Sequence, residues 1–106
     1  MIPMRDIKRY CDAIAAAFQP RKIILFGSYA YGKPNEDSDV DVMVVMPRKR
    51  YRRDLGWRIP VKVPPSFPLD VLVLADDRLQ NRMEDREGFI LDVTEKGKVM
   101  YEGSHS

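Results

Sequence analysis

The stretch ILFGSYAYGKPNEDSDVDVMVV, residues 24–45, decides how the chain folds. It begins inside a short apolar run, Lys22–Phe26, of the kind a buried strand needs. Gly27-Ser28 then predicts a turn running into a short helix through Tyr31, and Gly32–Ser38 (GKPNEDS) is a loop by composition. A second strand follows at Val40–Met46 and is stopped by Pro47. Two aspartates, Asp39 and Asp41, stand at its mouth. Aspartate forms strands poorly and is rarely buried unless paired or bound to something. Their negative charge needs a use.

Outward from this stretch, helices and strands alternate. Met4, Ile7, Cys11, Ile14, Ala15 and Phe18 recur at helical spacing, so residues 4–18 read as an amphipathic helix with Pro3 at its start and Gln19-Pro20 at its end. Residues 48–58 (RKRYRRDLGWR) predict a basic helix weakened by Gly56 and ended by Pro60, with Trp57 as a core aromatic. Val63–Pro68 is an extended connection, and Leu69–Ala75 is a third strand with Asp70 near its start. Asp76 is placed to cap a helix through about Asp85. A further helix over Glu87–Lys96 has Phe89, Ile90 and Val93 as its apolar face, Gly97 as its C-cap and Val99–Glu102 as a last edge strand behind it. The expected architecture is α/β (α+β): one small domain over residues 1–102, a mixed sheet of three to four strands flanked by helices, and a flexible tail over 103–106.

Composition narrows the function classes. With 106 residues, 44% hydrophobic and 32% charged, the chain fits one ordinary globular domain. Its single cysteine, Cys11, allows no internal disulfide and no zinc-finger ligand set, which suits a reducing cytoplasm. No apolar run approaches the ~18 residues of a membrane span, and the charge-interrupted N-terminus is unlike a secretory signal. A net charge of +2 is too small to imply nucleic acid.

The connection over residues 47–68 is long enough for a crossover, as a parallel pair of second and third strands requires. Asp39, Asp41 and Asp70 then lie at one edge of the sheet, and Asp39 and Asp41 share a face. If the first strand is antiparallel to the second, Gly27-Ser28 lands at the same edge, where backbone N–H groups opening a helix favour an anion such as phosphate. Carboxylates and phosphates repel unless a divalent cation lies between them. The residues therefore read as a Mg²⁺ site, with room for two ions, serving chemistry on a nucleoside triphosphate.

Gly27-Ser28, Gly32, Ser38-Asp39-Val40-Asp41 and a later apolar strand bearing Asp70 resemble the DNA polymerase β-like nucleotidyltransferase superfamily. The length resembles its minimal, MNT-type branch. The resemblance implies that Gly27 and Ser28, with Gly32 and Lys33, bind the triphosphate of ATP. It implies that Asp39 and Asp41 hold Mg²⁺, and that Asp70 completes the metal site and helps deprotonate an acceptor hydroxyl. AMP would be joined to that hydroxyl and pyrophosphate released, the activity of a protein adenylyltransferase. Many members of the branch resemble the antitoxin half of a module whose other half is a HEPN-domain ribonuclease. A HEPN toxin partner and a hetero-oligomer are thus implied. Where many relatives have arginine, this chain has Tyr31; either Lys33 stands in as the nearby cation or the triphosphate is held more weakly.

Two other functions remain open on the residues. One is a binding antitoxin with a vestigial metal site; the other is an RNA-binding accessory domain using Arg48-Lys49-Arg50-Tyr51-Arg52-Arg53. That basic run reads first as a solvated helix face, with RNA, a triphosphate tail or an acidic partner surface as its functional alternatives. Ser38 reads as shaping the turn, Cys11 as packing, and His105 as a tail residue without a catalytic role. Tyr10, Tyr29, Tyr31 and Tyr101 carry hydroxyls able to accept a nucleotide, and nothing in the sequence selects one.

Overall fold

A computed structural model of the chain describes residues 1–103; His105 and the other tail residues past Gly103 lie outside them. The elements in order are α1 (Met4–Phe18), β1 (Lys22–Phe26), α2 (Ser28–Tyr31), β2 (Val40–Met46), a 3₁₀ turn (Arg48–Arg50), α3 (Leu55–Lys62), β3 (Leu69–Ala75), α4 (Asp76–Glu84), α5 (Gly88–Lys96) and β4 (Lys98–Glu102). The sheet order is β3-β2-β1-β4. β1 runs antiparallel to β2 and to β4, and β2 runs parallel to β3, so the sheet is mixed as the sequence predicts. Among the described residues no helix is long and apolar enough to cross a membrane.

β2 is a near-continuous apolar strand because both of its faces are covered. Val40, Val42, Val44 and Met46 pack into one cluster with Ile7, Cys11 and Ile14 of α1 and with Leu55 and Ile59 of α3. Met43 and Val45 pack on the other face with Ile24 of β1 and with Ile90 and Val93 of α5. Each aliphatic side chain buried this way contributes about 1.5–3 kcal/mol. By strand alternation Asp41 and Asp39 fall on the α5 side of the sheet. Asp70 falls there too, because its neighbours Leu69 and Val71 pack on the α1 side.

Two expectations for the crossover fail. The predicted helix over 48–58 is instead a 3₁₀ turn followed by α3, which starts at Leu55 and carries Pro60 inside it. Pro60 is tolerated because it sits in the short helix's second half and removes one backbone hydrogen bond only, that to Gly56. Trp57 is not a core residue: it is 60% exposed, since α3 buries Leu55 and Ile59 and turns Trp57 away. Asp76 is likewise the first residue of α4 rather than its cap, and its carboxylate accepts the N–H of Asp77 at 2.8 Å.

Gly97 ends α5 as expected, but in extended backbone at φ −70°. Space is the constraint there: a Cβ would lie 2.3 Å from the Val93 carbonyl oxygen, 2.7 Å from Ile24 Cγ2 and 2.8 Å from the Leu25 carbonyl oxygen. Gly97→Ala is expected to cost about 2 kcal/mol, lowering the melting temperature by about 10 °C. A circular-dichroism melt with an unchanged midpoint would show that α5 and β1 have room to part.

Candidate active site

The end of β1, the turn after it and the starts of β2 and β3 meet at one edge of the sheet. In the antiparallel ladder Phe26 stands opposite Asp41; in the parallel ladder Asp41 stands opposite Asp70. Asp41 is thus the middle member, flanked by the aromatic end of β1 and by a second carboxylate. It is partly buried, whereas Asp39 and Asp70 are exposed.

Gly27 sits at φ 76°, ψ −161°, a region that residues with a Cβ essentially do not enter. A Cβ there would fall 2.2 Å from Asp41 Oδ2, so the carboxylate occupies the space a side chain would need. The turn beyond it is one tight coil. Ala30 and Tyr31 donate their N–H groups to the Gly27 carbonyl at 3.0 Å, and Gly32 and Lys33 donate to the Ser28 carbonyl at 3.1 Å. The N–H groups of Ser28 and Tyr29, at the head of the coil, have no intrahelical acceptor. Gly27 and Ser28 are partly buried, Gly27 directly against Asp41, whereas Gly32 and Lys33 are exposed.

The loop before β2 is held by its own side chains. Asn35 N–H donates to Ser38 Oγ at 2.9 Å, Asp37 N–H donates to Asn35 Oδ1 at 2.8 Å, and Ser38 N–H donates to the Asn35 carbonyl at 3.1 Å. Ser38 shapes the turn, and Asn35 is its partner in doing so. Together they fix the direction in which Asp39 enters β2.

The Asp41 carboxyl is pushed up from 3.8 to about 6. Burial is the first cause, the charge of Asp70 the second, the charge of Asp39 the third, and a proton shared with Asp70 adds to these. Asp41 and Asp70 are thus a coupled pair, with Asp39 acting through its field. The sequence places all three aspartates at one edge, but it does not show that Asp41 alone is partly buried there. Among the described residues no three His, Cys, Asp or Glu side chains are gathered closely enough to enclose a cation by themselves.

The donor chemistry nonetheless fits Mg²⁺. Hard carboxylate oxygens on an exposed edge, in a number below a full coordination shell, suit an ion that keeps waters and takes phosphate oxygens as its remaining ligands. A carboxylate held with an elevated pKa by its neighbours is also one whose ionised form a cation would stabilise.

Two further features were not anticipated in the sequence. Phe89 of α5 meets Phe26 edge to face at 5.6 Å, giving the Asp41 side of the sheet an aromatic wall. The signal was present, since Phe26 shares its face with Ile24, but the partner on α5 is a long-range contact. The second concerns the tyrosines. Tyr10 hydroxyl donates to the Val63 carbonyl at 2.6 Å, and Tyr29 hydroxyl accepts the Ile2 N–H at 3.1 Å. Tyr31, by contrast, is 44% exposed.

A family model described as nucleotidyltransferase domain matches residues 7–101. The chain belongs to the nucleotidyltransferase domain family. It is similar to a protein of Methanocaldococcus jannaschii named "putative protein adenylyltransferase", with 31% identity over 100 residues, covering 92% of this chain and 96% of the relative. Its fold is similar to the crystal structure of a "putative nucleotidyltransferase" from Sulfolobus solfataricus, at a TM-score of 0.62 and 18% identity, covering 92% of this chain and 78% of the other. This nucleotidyltransferase domain is accordingly a transferase, and its sheet is the family's.

Proposed function

We propose that this nucleotidyltransferase domain transfers AMP from ATP to a hydroxyl of a partner protein, and that the partner is a HEPN-domain toxin which the transfer silences in the cytoplasm. The observation that carries the reading is Asp41 set directly opposite Asp70 in the parallel ladder, with the Gly27 backbone against its carboxylate. The relative named as a protein adenylyltransferase supports a protein as acceptor. So does the open setting: Asp39 and Asp70 are exposed, leaving the acceptor to be brought by a large partner.

In this reading Gly27, Ser28, Gly32 and Lys33 hold the triphosphate, and Asp39, Asp41 and Asp70 hold Mg²⁺. The bound metal would offset charge on the phosphates and lower the pKa of the acceptor hydroxyl. Asp70, exposed at the edge, takes the hydroxyl proton as the acceptor oxygen bonds to the α-phosphorus. The bond to pyrophosphate breaks, and the pyrophosphate leaves past the Gly27 turn.

The test is purified chain with a co-expressed HEPN protein and ATP labelled at the α-phosphate, with Mg²⁺ or with EDTA. Label on the partner in Mg²⁺ alone, and none from ATP labelled at the γ-phosphate, is the expected result. A stable complex without label under either condition would make this an antitoxin that acts by binding. Retention of the complex by RNA instead would favour the accessory-domain reading.

A further inference from the structure

α3 buries one pair of apolar residues and exposes another. Leu55 and Ile59 enter the core, while Trp57 and Val61 are 60% and 69% exposed. With Phe18, Arg58 and Lys62 they line a hollow of about 380 Å³. A second hollow of about 320 Å³ shares Phe18 and Arg58 with the first, is bordered by Lys49, Arg50 and Arg52, and ends on Met46. No acidic side chain lines either one. Arg50 is engaged by the Gln19 carbonyl at 2.8 Å and Arg58 by Asp54 at 3.3 Å. Lys49, Arg52 and Lys62 form no ion pair among the described residues.

Such a surface is costly for a free monomer. Large apolar side chains one helical turn apart make an exposed stripe, and unpaired cations beside it repel one another. What relieves both is an occupant with an apolar ridge and negative flanks. A nucleic acid would neutralise the cations, but Val61 offers nothing to a base or a phosphate. A helix would answer both, its apolar ridge lying along the stripe and its acidic flanks against the rim. We infer that this groove is a docking site for an acidic amphipathic helix of a partner protein. The inference stands independently of the transfer reaction. The groove lies in the layer of α1 and α3, on the face of the sheet opposite Asp41, and reaches Met46, about 17 Å along β2 from that residue. A partner held there leaves the aspartate edge open.

Trp57 is the chain's one tryptophan, so its emission reports the groove directly. The full chain is titrated with a stapled helical peptide bearing a leucine stripe flanked by glutamates. The same peptide with lysines in place of the glutamates, and oligouridylate, serve as controls. A saturable blue shift with the glutamate peptide is expected, at least about tenfold weaker in Kd for the lysine peptide and for Val61→Glu and Arg52→Glu. Both variants lie on the surface and should melt with the parent. No shift with the glutamate peptide, equal binding by Val61→Glu, or tighter binding of oligouridylate would each overturn the docking site, the last by making the groove a nucleic-acid surface. Loss of AMP transfer in Asp41 variants with peptide binding intact would separate this site from the catalytic edge.

Discussion

Asp41→Asn is expected to abolish nucleotidyl transfer and, in EDTA, to raise the melting temperature. The loss should be about 10³-fold or more, the scale of removing one fixed charge-stabilising group from an active site. The gain in stability follows from the pKa. Asp41 titrates near 6 in the folded chain against an ordinary 3.8, so the folded state holds its proton more tightly than the unfolded state does. Stability from this group therefore falls as pH rises from about 4 to about 6, and it stays lower at neutral pH. Asp41 is only partly buried, and screening by solvent reduces the neutral-pH penalty to about 1 kcal/mol. Asparagine removes the repulsion and offers Asp70 a donor, for a rise of about 5 °C. Calorimetry in EDTA at pH 5 and 7.5 checks this: the parent should lose stability between the two, and the variant should be flatter. A variant as active as the parent, or one that melts lower, would refute the assignment. Transfer by the parent should fall as pH drops through about 6, with added Mg²⁺ moving that midpoint lower.

Gly27→Ala should damage the same site with the opposite effect on stability. The backbone at φ 76°, ψ −161° costs a residue with a Cβ about 1–3 kcal/mol, and the new methyl would sit 2.2 Å from Asp41 Oδ2. Either the turn or the carboxylate must move. The expected result is a melting temperature lowered by about 10 °C, with transfer reduced about 10²-fold or more through misplacement of the carboxylate. Because part of the cost is a contact between these two residues, Gly27→Ala in an Asp41→Ala background should cost less than the two single effects added together. Strict additivity in thermal melts would show that the clash is relieved without disturbing Asp41.

The frame was legible because its signals are local. The valines and methionines of Val40–Met46 read as a strand, and the connection to Leu69–Ala75 is long enough for the crossover that the observed parallel pairing needs. Those two facts bring Asp39, Asp41 and Asp70 to one edge. The side of α3 that faces inward was not legible, because Leu55/Ile59 and Trp57/Val61 are both apolar pairs four residues apart. Only packing against α1 and the sheet decides between them, and it chose the aliphatic pair. The inequality of the aspartates was hidden for a similar reason. Alternation assigns a face to each, but burial depends on neighbours: Asp41 is set between β1 and β3, while β3 is the outer strand and Asp39 precedes β2. Gly97 carried its cue in the C-cap position, yet the close approach of Ile24 and Leu25 belongs to tertiary structure.

The residues around the two ends of β2 carry charge of opposite sign, although the molecule as a whole is near neutral. Asp39, Asp41 and Asp70, with Glu36 and Asp37 in the adjoining loop, gather at one end; Arg48 to Arg53 follow the other, where Asp77 offsets only Arg48. A free nucleoside triphosphate approaching through dilute buffer is turned toward the basic end, away from the carboxylates. A divalent cation travelling with it would offset that bias. That orienting torque fades beyond about 8 Å at physiological salt. The rate at which metal-free nucleotide reaches the aspartate edge should therefore rise with ionic strength, the reverse of ordinary electrostatic capture.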